Sequence, residues 1–400
     1  MSPGPDRAEA TAETSASASL LRRLRPLWKD EADLSVSRRP GGPGGAGDFL
    51  VLPRLANPIL LVPAQRSPAA DSIRASAPGV RGRALATAYR TGVLRRLPFA
   101  RVHVPVDTPS PVLAELEEMV PGTRHLVIRL GRDRPGRAVV VACLGVQGDA
   151  LGIGKLGVGP GVPSVVAEHR NLVRVHDLPL TLVEAPEALG FARAGDCALL
   201  AMTALDGAEA SLDPDDPLLH AAMTELARSG GTAETRLADA AQVHALRELL
   251  ASLPADESSA WIGPELERML ARLGDTVVEV GLWHGDWVAW NHRRSGTGLA
   301  LWDWEHLADG VPVGMDYLHY AAQHLRRLQG TEPAQEQRWL ELVRSGLARR
   351  WGGSPAQIEA TLLLYLLTVN ARYADERAEA PDAPARQGWT RSLVQELNHG

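Results

Sequence analysis

The sequence predicts an α+β chain of two lobes, a small β-rich lobe followed by a helical lobe, with a small α/β extension in front of them. Three observations support this fold class. Residues 120–205 contain short apolar runs bounded by glycine and proline, whereas residues 206–400 contain apolar residues at i, i+3 and i+4 spacing. The charge also divides the chain, because residues 21–101 carry 15 basic and 5 acidic side chains, and residues 206–400 carry 17 and 29.

The composition excludes several classes of protein. The 400 residues are 45% hydrophobic and 22% charged, which is ordinary for a globular chain. A net charge of −6 provides no basic field for nucleic acid, and no apolar run approaches the roughly 18 residues that cross a bilayer. The two cysteines, Cys143 and Cys197, are too few for a disulfide framework or a zinc site. Since the N-terminus also lacks an apolar signal core, we expect a soluble cytoplasmic protein that binds neither nucleic acid nor membrane.

The N-terminal region is predicted to lie outside the two lobes. Residues 1–20 consist largely of Ala, Ser, Thr, Glu and Pro, which is the composition of a disordered tail. Residues 21–110 are predicted to form a small α/β unit, with strands at 48–53 and 58–63 and a helix at 80–97. Its surplus of arginine is most simply a solvated surface, and a docking face for an acidic protein partner is the alternative.

The β-rich lobe, residues 120–205, is predicted from a series of short elements separated by turn residues. These are strands at 125–130, 137–144, 150–158 and 197–205 and a helix at 165–175. Lys155 lies in the third strand and is unusual, because only two of the 42 basic side chains are lysine. A solvated lysine on an edge strand is the simple interpretation of this residue, and a functional cation is the alternative.

The helical lobe, residues 206–400, begins with a polar linker at 206–217. Helices are predicted at 218–229, 234–253, 333–351 and 355–374. Ser354 and Pro355 are predicted as the N-cap and first residue of the last of these helices. Between the helices, residues 277–305 contain two short β-like runs around a polar loop.

This polar loop carries the residues with the clearest chemistry. Asp286 and Asn291 follow the first β-like run, and Asp303 ends the second, GLALW at 298–302. The turn-forming segment between the runs predicts a hairpin, which would bring Asp286, Asn291 and Asp303 together. Two carboxylates and an amide are hard oxygen ligands that suit Mg²⁺. Phosphoryl transfer needs such ligands, together with a carboxylate for the acceptor hydroxyl and a cation for the phosphates.

These motifs resemble those of the aminoglycoside phosphotransferase and choline kinase-like family, which has the protein-kinase fold. HGDWVAWN at 284–291 is similar to the H-x-D-x-x-x-x-N catalytic loop of that family, and LWDWE at 301–305 is similar to its metal-binding Asp motif. The resemblance covers about residues 120–375. One departure is GRDRPGR at 131–137, which is not a G-x-G-x-x-G phosphate loop.

The resemblance implies a role for each matching residue. It implies that Asp286 is the catalytic base, that Asn291 and Asp303 hold Mg²⁺, and that His284 and Asp316 support the loop. It further implies a nucleotide site made of Lys155 with its partner Glu168 and of the hinge residues Met202, Thr203 and Ala204.

The function expected from these residues is an enzyme, a small-molecule kinase. It would transfer the γ-phosphate of ATP or GTP to a hydroxyl of an amino sugar, an amino alcohol or a sugar. A catalytically weak, pseudokinase-like binding module, recruited through its basic N-terminal extension, is the alternative. The tryptophans near the loop are expected to be core residues, with Trp287 or Trp304 as candidates to face the substrate.

Overall fold

The structure is a computed structural model that describes most of the chain. It describes residues 5–28, 34–38, 48–65, 67–76, 79–104, 110–130, 138–208, 211–329, 334–376 and 383–399. The segment GRDRPGR at 131–137 therefore lies outside the described residues. None of the described helices is long and apolar enough to cross a membrane.

The described helices are numbered in chain order. They are α1 (Pro5–Leu24), α2 (Ala70–Ser76), α3 (Val80–Arg90), α4 (Pro111–Met119), α5 (Val162–His176), α6 (Pro217–Ser229), α7 (Ala241–Ser252), α8 (Ile262–Leu273), α9 (Met315–Gln329), α10 (Ala334–Arg350), α11 (Pro355–Asp375) and α12 (Ala383–His399).

The described strands are numbered in the same way. They are β1 (Ser35–Ser37), β2 (Phe49–Arg54), β3 (Asn57–Pro63), β4 (Arg101–His103), β5 (His125–Arg129), β6 (Val139–Leu144), β7 (Ala150–Val158), β8 (Val183–Glu184), β9 (Ala188–Ala194), β10 (Cys197–Thr203), β11 (Ala233–Arg236), β12 (Val277–Trp283), β13 (His292–Ser295), β14 (Gly298–Leu301) and β15 (Ala308–Pro312).

The chain divides into two compact units. The first contains residues 1–169 and 187–204, and the second contains residues 170–186 and 205–400. A nine-stranded sheet lies in the first unit, whereas the second has seven of the helices and only short sheets. The predicted α+β fold class, with a β-rich unit before a helical one, is confirmed.

The sheet of the first unit includes the strands that were predicted as a separate extension. Its order is β1-β4-β2-β3-β5-β6-β7-β10-β9. The connection is made by β3 and β5, where Leu60 is opposite Arg129 and Leu61 is opposite Ile128. The boundary predicted near residue 110 therefore does not separate compact units, because backbone hydrogen bonds continue across it.

The N-terminal segment also differs from its prediction. Residues 5–24 form α1, so the predicted disordered tail over 1–20 is wrong for the part that the structure describes. Leu20 and Leu24 are buried in the same apolar cluster as Val51 and Leu61 of the sheet. Alanine and glutamate favour a helix, and burial of two leucines supplies the tertiary contact that a polar composition does not reveal.

The two faces of the sheet are covered by different helices. One face packs against α1 and α4, and the other packs against α2 and α3. On β7, a Cβ at Gly154 would lie 2.7 Å from the Leu116 side chain of α4, so a glycine is needed there. Since successive side chains of a strand point to opposite faces, Lys155 lies on the face away from α4.

The second unit contains two three-stranded sheets, with the orders β11-β12-β15 and β13-β14-β8. The predicted hairpin between the runs 277–283 and 298–302 is wrong, because β12 and β14 belong to different sheets. The turn instead joins β13 to β14, with His292 opposite Leu301. A Cβ at Gly298 would lie 2.4 Å from the Leu182 carbonyl oxygen, which explains how β8 fits closely beside β14.

Several helix predictions agree with the structure and others need correction. The predicted helices 218–229, 333–351 and 355–374 correspond to α6, α10 and α11, and Ser354 caps α11 with a capping box. The predicted helix 234–253 begins as strand β11 and becomes helical only at Ala241. The predicted helix 80–97 ends at Arg90, because Gly92 adopts a left-handed conformation.

Candidate active site

Lys155 and Glu168 form a buried ion pair in the first unit. Lys155 Nζ donates to both carboxylate oxygens of Glu168, at 2.7 Å each. The side chains are 12% and 1% exposed. Lys155 is held in the interior of the sheet, opposite Val140 of β6 and Leu200 of β10. Removing one partner of such a pair would leave the other charge buried and uncompensated.

The predicted hinge residues lie at the end of β10. Met202 is buried, and Thr203 is the last residue paired with β7, opposite Gly152. The Thr203 hydroxyl accepts a hydrogen bond from the Glu187 backbone N–H at 2.9 Å, and the Thr203 N–H donates to the Glu187 carbonyl oxygen at 2.9 Å. Ala204 follows the strand, so its backbone lies outside the β7–β10 pairing.

The loop predicted to be catalytic, residues 284–291, follows β12 in the second unit. Gly285 has φ 86°, and a Cβ there would lie 2.6 Å from the His306 carbonyl oxygen. Glycine is therefore needed for both the backbone conformation and the close approach. This tight turn places Asp286 at the start of the loop.

The Asp286 carboxylate is held by two side chains. His319 Nε2 lies 3.2 Å from Oδ1, and Asn291 Nδ2 donates to Oδ2 at 2.9 Å and to the Asp286 carbonyl oxygen at 3.0 Å. The Asp286 side chain remains 36% exposed, whereas His319 is 7% exposed. Each carboxylate oxygen has about two lone pairs, so each can accept a further hydrogen bond from a substrate hydroxyl.

The environment of Asp286 favours its ionised form. Burial raises the pKa of the Asp286 carboxyl, but its interactions with neighbouring side chains, led by the hydrogen bond from His319, outweigh burial, and the pKa lies below its ordinary value. Because a carboxylate only accepts, His319 Nε2 carries the proton in this contact. The other ring nitrogen, Nδ1, lies 3.3 Å from the Tyr365 hydroxyl, which is buried and donates to it.

His284 is a fully buried support of the loop. Its Nδ1 accepts from the Asp286 backbone N–H at 3.2 Å, and its Nε2 lies 3.2 Å from the Trp302 carbonyl oxygen. These partners require a neutral ring with the proton on Nε2. Burial lowers the pKa of His284 to about 4, so the neutral form persists well below neutral pH.

Asp316, at the start of α9, holds the same turn from the other side. Its Oδ2 accepts from the His284 backbone N–H at 2.9 Å, and its Oδ1 accepts from the Gly285 backbone N–H at 3.1 Å. Burial raises the pKa of Asp316 to about 7 in spite of these two hydrogen bonds. Arg372 of α11 is close by, donating to the Gly285 carbonyl oxygen at 2.7 Å and lying over the Trp283 ring at 4.4 Å.

Asp303 lies beside the other end of the loop. The Trp302 N–H donates to the Asn291 carbonyl oxygen at 3.1 Å, which extends the β13–β14 pairing and brings Asn291 next to the residue preceding Asp303. Asp303 has φ 66° and is the one non-glycine residue with a positive φ in the described part of the chain. Backbone conformations of this kind are found most often at functional sites.

Asn291 and Asp303 fit a magnesium ion that is bound together with phosphates. Across the described ranges, no group of three or more His, Cys, Asp or Glu side chains is arranged to hold a metal alone. Mg²⁺ is commonly held by one or two side chains together with substrate phosphates. The Asn291 amide nitrogen donates to Asp286, so its oxygen is the ligand atom that remains. A carboxylate and an amide oxygen suit that role.

Three residues of this region were missed by the sequence analysis, namely His319, Arg372 and Asn171. His319 lies three residues after Asp316 on α9, and this helical spacing is a signal that could have identified it. Asn171, which is buried, donates through Nδ2 to the Trp304 carbonyl oxygen at 2.7 Å and supports the turn after Asp303. Asn171 lies three residues after Glu168 on α5, the same helical spacing, whereas Arg372 lies near no motif in the sequence.

The prediction that Trp287 or Trp304 faces the substrate is not supported by their burial. Trp287 and Trp304 are fully buried and pack at angles of 62° and 68° against the His284 ring, so neither faces a substrate. Trp290 is the exposed tryptophan of the loop, at 54%. The expectation that the tryptophans near the loop are core residues is therefore wrong for Trp290.

Comparisons with known proteins give matches in structure but none in sequence. No model of a known protein family matches the chain, and no curated protein matches it. The apo form of a thermostable mutant of aminoglycoside phosphotransferase APH(4)-Ia is similar at 16% identity and a TM-score of 0.48, over 70% of this chain and 97% of that chain. A choline/ethanolamine kinase family protein from Mesorhizobium loti is similar at 14% identity and a TM-score of 0.45, over 72% and 93%. An amicoumacin kinase is similar at 10% identity and a TM-score of 0.44, over 67% and 88%.

Proposed function

We propose that the protein is a small-molecule kinase, which transfers the γ-phosphate of ATP or GTP to an acceptor hydroxyl. The observation that carries this proposal is the Asp286 carboxylate. It is ionised, partly exposed and fixed by His319 on one oxygen and by Asn291 on the other. A carboxylate in this state is suited to accept a hydroxyl hydrogen bond and to orient the oxygen for attack.

The proposed reaction assigns the bond changes as follows. The acceptor hydroxyl donates to Asp286, its oxygen forms a bond to the γ-phosphorus, and the bond from that phosphorus to the β–γ bridging oxygen breaks. The hydroxyl proton passes to Asp286, and the nucleoside diphosphate leaves. His319 and Asn291 keep the carboxylate in place, while His284 and Asp316 hold the backbone of the turn.

The nucleotide is proposed to bind through the residues that the resemblance implies. The Lys155 ammonium, fixed by Glu168, would contact the phosphates, and the backbone at Met202 to Ala204 would bind the base. Asn291 and Asp303 would hold Mg²⁺, which when bound supplies positive charge to the phosphates. The site is compatible with a cationic acceptor, such as an amino sugar or an amino alcohol, because residues 206–400 are strongly acidic.

The proposal is tested by following ADP release from the purified full chain. Wild-type protein with ATP and Mg²⁺ is screened against amino sugars, amino alcohols and neutral sugars, with GTP as a second donor. At least one acceptor is expected to raise ADP release above the rate without acceptor, and a chelator is expected to remove the signal. ATP binding without stimulation by any acceptor would favour the binding-module alternative instead.

A further inference from the structure

A second cluster of reactive side chains lies in the first unit, away from Lys155 and Glu168. Ser37 Oγ lies 2.7 Å from His103 Nε2, and His103 Nδ1 lies 3.0 Å from Asp48 Oδ2. The three residues come from three places in the sequence, the ends of β1 and β4 and the residue before β2. Both distances are within the range for hydrogen bonds between a nucleophile, a base and an orienting carboxylate.

The direction of the two hydrogen bonds follows from the chemistry of the partners. An ionised Asp48 only accepts, so His103 Nδ1 carries the proton of the neutral ring. Nε2 is then the acceptor, and the Ser37 hydroxyl donates to it. This is the tautomer in which a histidine can remove a proton from a serine hydroxyl.

The sheet register holds these groups on one face. In the β1–β4 pairing Ser37 is opposite Arg101, and in the β2–β4 pairing Leu50 is opposite Arg101. Opposite residues share a face, and so do residues two apart on a strand. His103 therefore lies on the face of Arg101 and Ser37, and the cluster is fixed by backbone pairing.

Burial in the cluster decreases from the carboxylate toward the hydroxyl. Asp48 is 7% exposed and His103 is 18% exposed, while Ser37 is half-buried on β1, which is the edge strand of the sheet. The orienting acid is thus shielded from water, and the hydroxyl is the end that solvent can reach.

A buried cation lies next to Ser37 in the register. Arg101 is 5% exposed, and its Nε has no hydrogen-bond partner in the part of the chain that the structure describes. Its Nη2 donates to the Arg95 carbonyl oxygen, which holds the guanidinium in place, and the positive charge favours negative charge that develops on a substrate near Ser37. Arginine side chains serve in this way in enzymes that stabilise oxyanions.

We propose that Ser37, His103 and Asp48 form a nucleophilic centre that is acylated by small activated esters, independently of phosphoryl transfer. Ser37 Oγ adds to the ester carbonyl carbon as its proton moves to His103 Nε2. The carbon–oxygen bond to the alcohol breaks, and the alcohol leaves with that proton. Water then hydrolyses the acyl-Ser37 ester, returning the serine hydroxyl and releasing the carboxylic acid.

The test uses the full chain, with a fluorophosphonate probe for labelling and p-nitrophenyl acetate for turnover. Wild type is expected to be labelled at Ser37, as identified by peptide mass spectrometry, and to release p-nitrophenol above the buffer rate. Ser37→Ala is expected to lose labelling, and Asp48→Asn is expected to lower the ester rate by about 100-fold because the orienting charge is removed. Ser35→Ala is the matched control, since Ser35 is exposed on the same strand and the same face.

Circular dichroism and the thermal midpoint of each variant separate loss of reactivity from loss of folding. Labelling that persists in folded Ser37→Ala, or is absent in wild type, overturns the proposal and leaves the cluster as a structural network. Equal ester rates in wild type and Asp48→Asn overturn it as well. Phosphoryl transfer is measured in parallel, so a failure of one activity can be distinguished from a failure of the other.

Discussion

Histidine and aspartate lie side by side in two regions of the molecule, but the more exposed partner differs. It is the aspartate in one region and the histidine in the other. In the loop 284–291 Asp286 is the exposed end, with His319 and Tyr365 buried behind it. At the sheet edge Asp48 is the buried end, and the Ser37 hydroxyl lies toward solvent. The same kinds of group thus leave a carboxylate accessible in one region and a hydroxyl in the other, because burial decides which end solvent can reach.

Loss of the contact between His319 and Asp286 is expected to have a large effect on turnover. His319→Leu is expected to lower kcat for phosphoryl transfer by about 100-fold, since the carboxylate loses a charge-assisted partner. KM for MgATP should change little, because His319 acts on the acceptor side. His319→Gln, which keeps an N–H donor, is expected to recover part of the loss.

Steady-state kinetics with an acceptor from the screen measures this prediction. The exposed His244 on α7 provides a matched control, His244→Gln, with wild-type kinetics expected. An equal loss in His319→Leu and His319→Gln would mean that the histidine fills space and does not position Asp286.

The buried His284 gives an effect on stability instead of turnover. Its pKa of about 4 lies below the ordinary 6.5, so the unfolded chain binds the proton more tightly and acid favours unfolding. The extra stability of wild type over His284→Asn should therefore be complete above pH 6.5 and shrink by about 3 kcal/mol as the pH falls to 4. Urea unfolding of both proteins across this range measures the difference.

Asp316 changes the free energy of unfolding in the opposite direction to His284 as the pH falls from 7 toward 4. Its pKa is raised to about 7, so its contribution grows as the pH falls. This contribution is present in both proteins and cancels in the comparison. A stability difference that stays constant from pH 7 to pH 4 would show that His284 is not buried in its neutral form.

Tyr365 gives the smallest effect, because it acts only through His319. Burial raises the pKa of Tyr365, so its hydroxyl stays protonated and donates to His319 Nδ1. Tyr365→Phe removes one neutral hydrogen bond, worth about 1 kcal/mol, and a loss of a few-fold in kcat is expected. A loss as large as that of His319→Leu would contradict the idea that Tyr365 acts on Asp286 only through His319.

The residues close together in the sequence could be predicted, and those joined by tertiary packing could not. Asp286 and Asn291 lie five residues apart on one loop and meet as predicted, although the hairpin that was expected to bring them together is wrong. Lys155 was singled out by the scarcity of lysine, and its strand and its contact with Glu168 are both present. His319 lies 33 residues from Asp286, and its sequence signal is the helical spacing from Asp316. Arg372 lies 87 residues from Gly285, and no local pattern records that contact.

The sheet shows the same limit at the level of the fold. Strands β2 and β3 were predicted from their own apolar runs. The pairing of β3 with β5 could not be, because a strand pattern specifies a face and not a neighbour. The wrong hairpin has a similar cause. The strand that pairs with β14 is β13, which is short and made of His, Arg and Ser, so its composition gave no sign of a strand.

Asp286 is proposed to position and deprotonate the acceptor, and replacing its carboxylate with an amide separates this role from nucleotide binding. ADP release and ATP binding are compared in wild type, in Asp286→Asn and in Asp275→Asn, which changes an exposed aspartate elsewhere in the same unit. Asp286→Asn is expected to lose turnover by roughly 100-fold or more while ATP binds as before, and Asp275→Asn should match wild type. Wild-type turnover in Asp286→Asn would contradict the account.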